Sequence, residues 1–138
     1  MRKNKKRFFL VAGVCLVLAA GYGFYLYQKP RSGVENIKAD IKIAATDLYN
    51  HFSTNEAEAN TRYLNKVLLV EGTIADDVVN KQKPIILLYG GPMGNVNCEI
   101  MNVDAGVLKQ LKKGNPVVIK GRCAGFLADV NLVDCVVK

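Results

Sequence analysis

DAGVLKQLKKGNPVVIKGRCAGFLADVNLVDCVV, residues 104–137, decides the fold. Its first ten residues read as a short helix. Asp104 stands where an N-cap belongs, Val107, Leu108 and Leu111 recur at helical spacing toward a core, and Gly114 ends the run. From Pro116 to Cys123 the residues are largely β-branched and apolar, which predicts a strand. Ala124 to Ala128 turns, and Asp129 to Val137 predicts a second strand. The stretch is thus a helix leading into a hairpin.

The residues before the helix are strands as well. Val96 to Met101 alternates, with Val96, Cys98 and Ile100 on one face and Asn97 and Glu99 on the other. Gly90 to Asn95 is a turn cluster, Pro84 to Tyr89 a strand, and Lys66 to Ile74 an earlier strand with Gly72 inside it as a bulge or bend. Three strands, one helix and two strands within roughly 70 residues is the order of the OB-fold, a five-stranded Greek-key barrel. The expected class is mainly β with helices: a barrel over residues 64–138 with a helix between strands three and four. Gly72 and Gly121 are expected at its corners. A small α+β sandwich is the alternative with the same order.

Upstream, residues 34–63 read as amphipathic helix. Ile37, Ile41, Ala44, Ala45, Leu48 and Phe52 form one stripe, and Ser53 to Glu56 fits a capping box opening a second helix from about Asn55 to Tyr63. Residues 28–33 form a linker in which Pro30 discourages helix. Before it, residues 8–27 run FFLVAGVCLVLAAGYGFYLY without a charge. As a helix the run is about 30 Å long, the thickness of bilayer hydrocarbon. Residues 1–7 carry five positive charges, so the positive-inside rule keeps them in the cytoplasm and sends the rest across. Tyr22, Phe24, Tyr25 and Tyr27 suit the far interface. A signal peptide cut after Ala20 would need Leu18 at a position that prefers a small residue. Lipidation at Cys15 would follow Val14, where a small residue is wanted. The expectation is an uncleaved signal anchor in the cytoplasmic (inner) membrane, single-pass, with the C-terminal domain on the periplasmic side.

Charge follows the same division. The chain has net charge +7 and pI about 9.3. Residues 1–29 hold +6 and residues 30–138 only +1. Counterion release from so neutral a domain is small, which argues against nucleic acid as partner. Lys81, Lys83, Lys120 and Arg122 would make a modest basic patch, diluted by Glu71, Asp76, Asp77, Glu99 and Asp129. OB-folds bind on strands two and three and in two loops. That anatomy points to residues 76–83, 88–96 and 125–129, and within them to Lys81, Lys83, Tyr89 and Phe126 as ligand-binding candidates.

No catalytic or metal set is apparent. His51, the one histidine, has no nucleophile and acid arranged with it and reads as a helix-terminal surface residue. Asp76 and Asp77 read as solvated neighbours in a loop, and Gly90 to Gly94 lacks the Lys-Ser/Thr of a phosphate loop. Cys98, Cys123 and Cys135 lie in strands without a CxxC pair. Pairing of the last two strands puts Cys123 opposite about residue 131, too far from Cys135 for a bridge. A disulfide of Cys98 with Cys123 or with Cys135 remains open, beside three buried thiols acting as small apolar residues. No cofactor, metal or enzymatic activity is expected.

Several pieces resemble the bacterial tRNA_anti-like family, named for its similarity to tRNA anticodon-binding domains. They are Asn55-Glu56, Ala59, Tyr63, Lys66-Val67, Val70 and Gly72, then Cys98, Leu111 and Gly114, Lys120-Gly121-x-Cys123-x-Gly125, and Asp129-Val130-x-Leu132-x-Asp134-Cys135. The resemblance covers about residues 44–138. It implies an OB-fold behind an export signal or anchor and brings no catalytic set. The expected function is non-enzymatic binding or scaffolding at the cell envelope, toward a protein, oligosaccharide or other small ligand. A nucleic-acid-binding module is the alternative.

Overall fold

The computed structural model describes residues 2–28, 33–79, 83–101 and 103–138. The chain divides into two units, Met1–Arg31 and Ser32–Lys138. The first is one helix, α1 (Arg2–Gln28). Its stretch Phe9–Gln28 has mean hydropathy 2.1 and no buried residue, and is long and apolar enough to cross a membrane. A membrane anchor and a signal sequence share that signature.

The second unit is built from β1 (Ile41–Ala44), α2 (Ala45–Thr54), α3 (Glu56–Tyr63), β2 (Val67–Val79), β3 (Ile85–Gly91), β4 (Gly94–Ile100), α4 (Ala105–Gln110), β5 (Pro116–Leu127) and β6 (Asp129–Val137). Strand β2 pairs antiparallel with β3, β3 with β4, and β6 with β5. The β4–β6 pair is parallel, and β5 returns antiparallel to β2, closing a five-stranded barrel. This is an OB-fold, with α4 between the third and fourth barrel strands as expected. The alternation found in the sequence sets its interior: Val70, Ile74, Ile86, Leu88, Val96, Cys98, Ile119, Cys123, Val130, Leu132 and Cys135 are buried in one core. Each large aliphatic side chain contributes about 1.5–3 kcal/mol by leaving water.

The structure departs from the sequence reading in five places. Residues 37–40 form no helix and residues 41–44 are strand, where a helix was expected. Strand β1 runs parallel to β2, with Ile41 beside Leu68 and Ala44 beside Glu71. Asp40 fastens its start: the Asp40 carboxylate accepts the Val67 N–H at 2.9 Å, and the Asp40 N–H donates to the Val67 carbonyl at 2.8 Å. Second, α3 is capped by Asn55, whose side chain accepts from the Glu58 N–H at 3.3 Å. Ser53 lies inside α2, its hydroxyl donating to the Asn50 carbonyl. Third, β2 runs to Val79, so Asp76 and Asp77 are strand residues. Fourth, α4 stops at Gln110 and has no buried residue; Leu111, just beyond it, is the position that reaches the core. Fifth, β5 and β6 are joined through Ala128 alone (φ 65°), and a register shift between Cys123 and Gly125 places Cys123 opposite Leu132.

The two glycines expected at corners differ. Gly121 sits at a register shift between Lys120 and Arg122, as a bend requires. The β2–β5 register is regular through Gly72, where a Cβ would come within 2.9 Å of the Ala45 Cβ, so Gly72 serves close approach of α2.

Candidate ligand-binding end of the barrel

The β3–β4 and β5–β6 turns meet at one end of the barrel. Asp129, the first residue of β6, accepts the Asn95 N–H at 2.7 Å and so ties the turns together. Asn97 donates to the Asp129 carboxylate at 3.5 Å and to the Asn131 side-chain oxygen at 3.3 Å. These residues face outward because Val96, Cys98, Val130 and Leu132 take the inward positions.

Helix α2 lies over the same end. A Cβ on Gly90 would stand 2.8 Å from the Tyr49 Cβ, and one on Gly94 2.6 Å from the Tyr49 ring. Glycine at both positions lets the ring seat against the turn. Tyr49 then meets Phe126 edge-on at 5.9 Å, and Phe52 stacks on Phe126 at 5.8 Å. Phe126, half-buried, therefore packs its ring against α2.

Tyr89 is 47 % exposed. With Asp47, Asn50 and Ser53 of α2 and Pro92 and Met93 of the turn, it lines a groove of about 480 Å³. Met93 is 87 % exposed, and Leu127, on the neighbouring turn, is 84 % exposed. Three large apolar or amphipathic side chains are thus exposed at this end, Met93 in a turn and Tyr89 and Leu127 in the strands beside the turns. Fold anatomy points to Tyr89 but not to Met93 or Leu127. The available signal was an unbranched apolar side chain in a Gly-Pro turn, where polar residues are the rule.

The expected basic patch does not assemble. Lys81 lies outside the described residues. Lys83 is exposed, beside the start of β3. Lys120 is 7 % exposed and its ammonium donates to the Glu35 and Ile37 carbonyls at 2.7 and 2.8 Å. Burial lowers its pKa, Lys138 adds to the lowering, and Glu35 opposes it. Arg122 donates to the Asn65 carbonyl and lies 3.9 Å from Asp134. Both cations therefore hold backbone in place.

His51 is exposed, and its Nδ1 lies 2.6 Å from the Tyr63 hydroxyl, with the rings stacked at 5.8 Å. Tyr63 is fully buried, and burial raises its pKa. The histidine satisfies a core hydroxyl, a role invisible from twelve residues away in sequence. Among the described residues no group of three or more His, Cys, Asp or Glu could hold a metal ion.

All three barrel cysteines are fully buried free thiols. Cys98 and Cys123 both face Leu132, from opposite sides of β6. Two strand spacings, about 9.5 Å, separate them, beyond the reach of a disulfide. The structure thus removes the Cys98–Cys123 pairing. Burial raises the Cys123 pKa, opposed by a hydrogen bond from the Gly125 backbone. The Cys135 thiol is raised by its hydrogen bond with Cys98 and by burial.

The chain matches the tRNA_anti-like family over residues 1–137. It belongs to that family. Among solved structures, this tRNA_anti-like chain is similar to a "putative nucleic acid-binding lipoprotein" from Klebsiella pneumoniae, with a TM-score of 0.55 and 16% identity over 71% of this chain and 92% of that one. A second similar structure is a "putative aspartyl-tRNA synthetase" from Leishmania major, with a TM-score of 0.45 and 10% identity over 78% of this chain and 22% of that one. The first likeness concerns the fold. No curated protein matches the sequence.

Proposed function

We propose that this tRNA_anti-like chain is a membrane-anchored OB-fold module with a non-enzymatic binding or scaffolding role at the cell envelope. In this reading α1 holds the chain in the cytoplasmic membrane and the barrel stands on the periplasmic side. Its target is a protein or small ligand with an apolar surface. The observation that carries the reading is the exposure of Met93, Leu127 and Tyr89 at and beside two turns that Asp129 ties together. Exposed apolar groups gathered at one end of a small domain are a usual mark of an interaction site. Support for the anchor comes from Phe9–Gln28 and the basic residues before it.

The nucleic-acid reading has in its favour the likeness to the Klebsiella protein described as a putative nucleic acid-binding lipoprotein. Against it, Lys120 and Arg122 are engaged with backbone and Phe126 packs against α2, so a stacking platform in a basic groove is not formed from them.

A photo-crosslinking residue at position 93 of the full-length chain, expressed in its host, tests the binding end. We expect a discrete adduct that disappears when Leu127 is also changed to Asp. An adduct unchanged by Leu127→Asp, or none, counts against this end as the binding site. A labelled single strand mixed with detergent-solubilised full chain at low salt should show no shift; a salt-sensitive shift would favour the alternative.

A further inference from the structure

The β4–β6 pair is the parallel pair of the barrel, joined across the excursion that carries α4. On β4, Cys98 lies beside Leu132 of β6, and Ile100 lies beside Cys135. Two residues on one strand therefore face three on the other. Regular alternation from the buried Leu132 would turn Asp134 inward and Cys135 outward. The chain does the reverse. Asp134 takes a left-handed conformation (φ 55°), uncommon for a residue with a side chain, and its carboxylate turns toward Arg122. Cys135 is carried into the barrel and is fully buried, like Cys98.

Space for the sulfur is kept on the other side as well. A Cβ at Gly121 would collide with the Cys135 Sγ, so only glycine leaves the room. Cys98 and Cys135 thus stand on paired strands, both fully buried inside the barrel. A strained backbone and an obligatory glycine are more than a small apolar filler needs.

From the bulge, the glycine and two buried thiols on paired strands, we infer that Cys98 and Cys135 form a disulfide inside the barrel as the chain folds. The oxidant is a disulfide of the surroundings, R–S–S–R. The Cys98 thiolate attacks one of its sulfurs, forming a mixed disulfide and releasing the first R–S⁻. The Cys135 thiolate then attacks the Cys98 sulfur, forming the protein S–S bond and releasing the second R–S⁻. The two thiol protons pass to the leaving thiolates, so two protein thiols and one disulfide become one protein disulfide and two R–SH. In the closed barrel both thiols are walled off from solvent, so the exchange precedes closure. The finished bond fastens β4 to β6 on either side of α4, the helix with no buried residue of its own.

Cell-free synthesis of the full chain in detergent with oxidised glutathione tests the chemistry apart from cellular placement. Free thiols are blocked with N-ethylmaleimide in denaturant, so that burial alone protects none of them. Digestion with trypsin and endoproteinase Asp-N then separates the Cys123 and Cys135 peptides. We expect two of the four thiols to escape blocking, with the Cys98 peptide joined to the Cys135 peptide, and the same link in Cys123→Ala. Four blocked thiols, or a link that includes Cys123, would overturn the inference. Chain recovered from blocked cells should carry the same link. Its absence there, with the link present in the cell-free product, would leave the disulfide chemistry standing and count against the periplasmic placement.

Discussion

Single atoms decide how the barrel end is built. Tyr49 rests on Gly90 and Gly94 with no room for a methyl group. Gly94→Ala should therefore cost about 1–3 kcal/mol by overpacking, read as a lowered denaturant midpoint with an unchanged slope. Lys120 spends its ammonium on two carbonyls before β1. Lys120→Met should cost about 1–3 kcal/mol and speed amide exchange across residues 33–40, with the rest of the barrel protected as before. Titration gives a third test, on the reduced protein. The folded state keeps Cys123 and Cys135 protonated above their ordinary value of 9.0, while the unfolded chain ionises them. The native state then binds more protons, and stability falls as pH rises above about 9, with a slope of at most about 1.4 kcal/mol per pH unit for each thiol. The raised Tyr63 adds a fall above its ordinary value of 10.0. Lys120 acts the other way: its lowered pKa means the unfolded state binds the extra proton, so its contribution rises with pH up to 10.5. Urea melts between pH 8 and 10.5 should show a net fall, steeper in Lys120→Met.

At the level of elements, local pattern and long-range pairing divide the outcome. The five barrel strands were legible because alternation and turn residues act within a few positions. Residues 37–44 were misread because Ile37, Ile41, Ala44 and Ala45 fit a helical stripe, while Ile41-Lys42-Ile43 also alternates; pairing with β2 and the Asp40 link decided for strand. The capping box was recognised two residues early, since Ser53 and Asn55 both precede glutamates at cap spacing. Asn55→Ala should cost about 1 kcal/mol, while Ser53→Ala should be near neutral, in paired denaturation curves. The candidate site was only partly legible. Tyr89 followed from fold anatomy, but the same anatomy put forward Phe126, whose ring packs against α2. That α2 reaches this end depends on Gly90 and Gly94, residues that read in sequence only as a turn.

For the whole molecule, the charge distribution carries the argument. A net +7 suggests a polyanion as partner, yet six of those charges stand at residues 1–29 and the barrel side is nearly neutral. Basic residues before an apolar helix orient it; an almost neutral barrel with exposed Met93 and Leu127 has more to offer an apolar surface than a phosphate backbone. The account stands or falls on the side of the membrane the barrel occupies. The direct measurement is a pair of fusions after Lys138 of the full chain, one to alkaline phosphatase, active only outside the cytoplasm, and one to β-galactosidase, active only within it. The account predicts phosphatase activity in the membrane fraction and an inactive galactosidase fusion. Galactosidase activity with a silent phosphatase would contradict it.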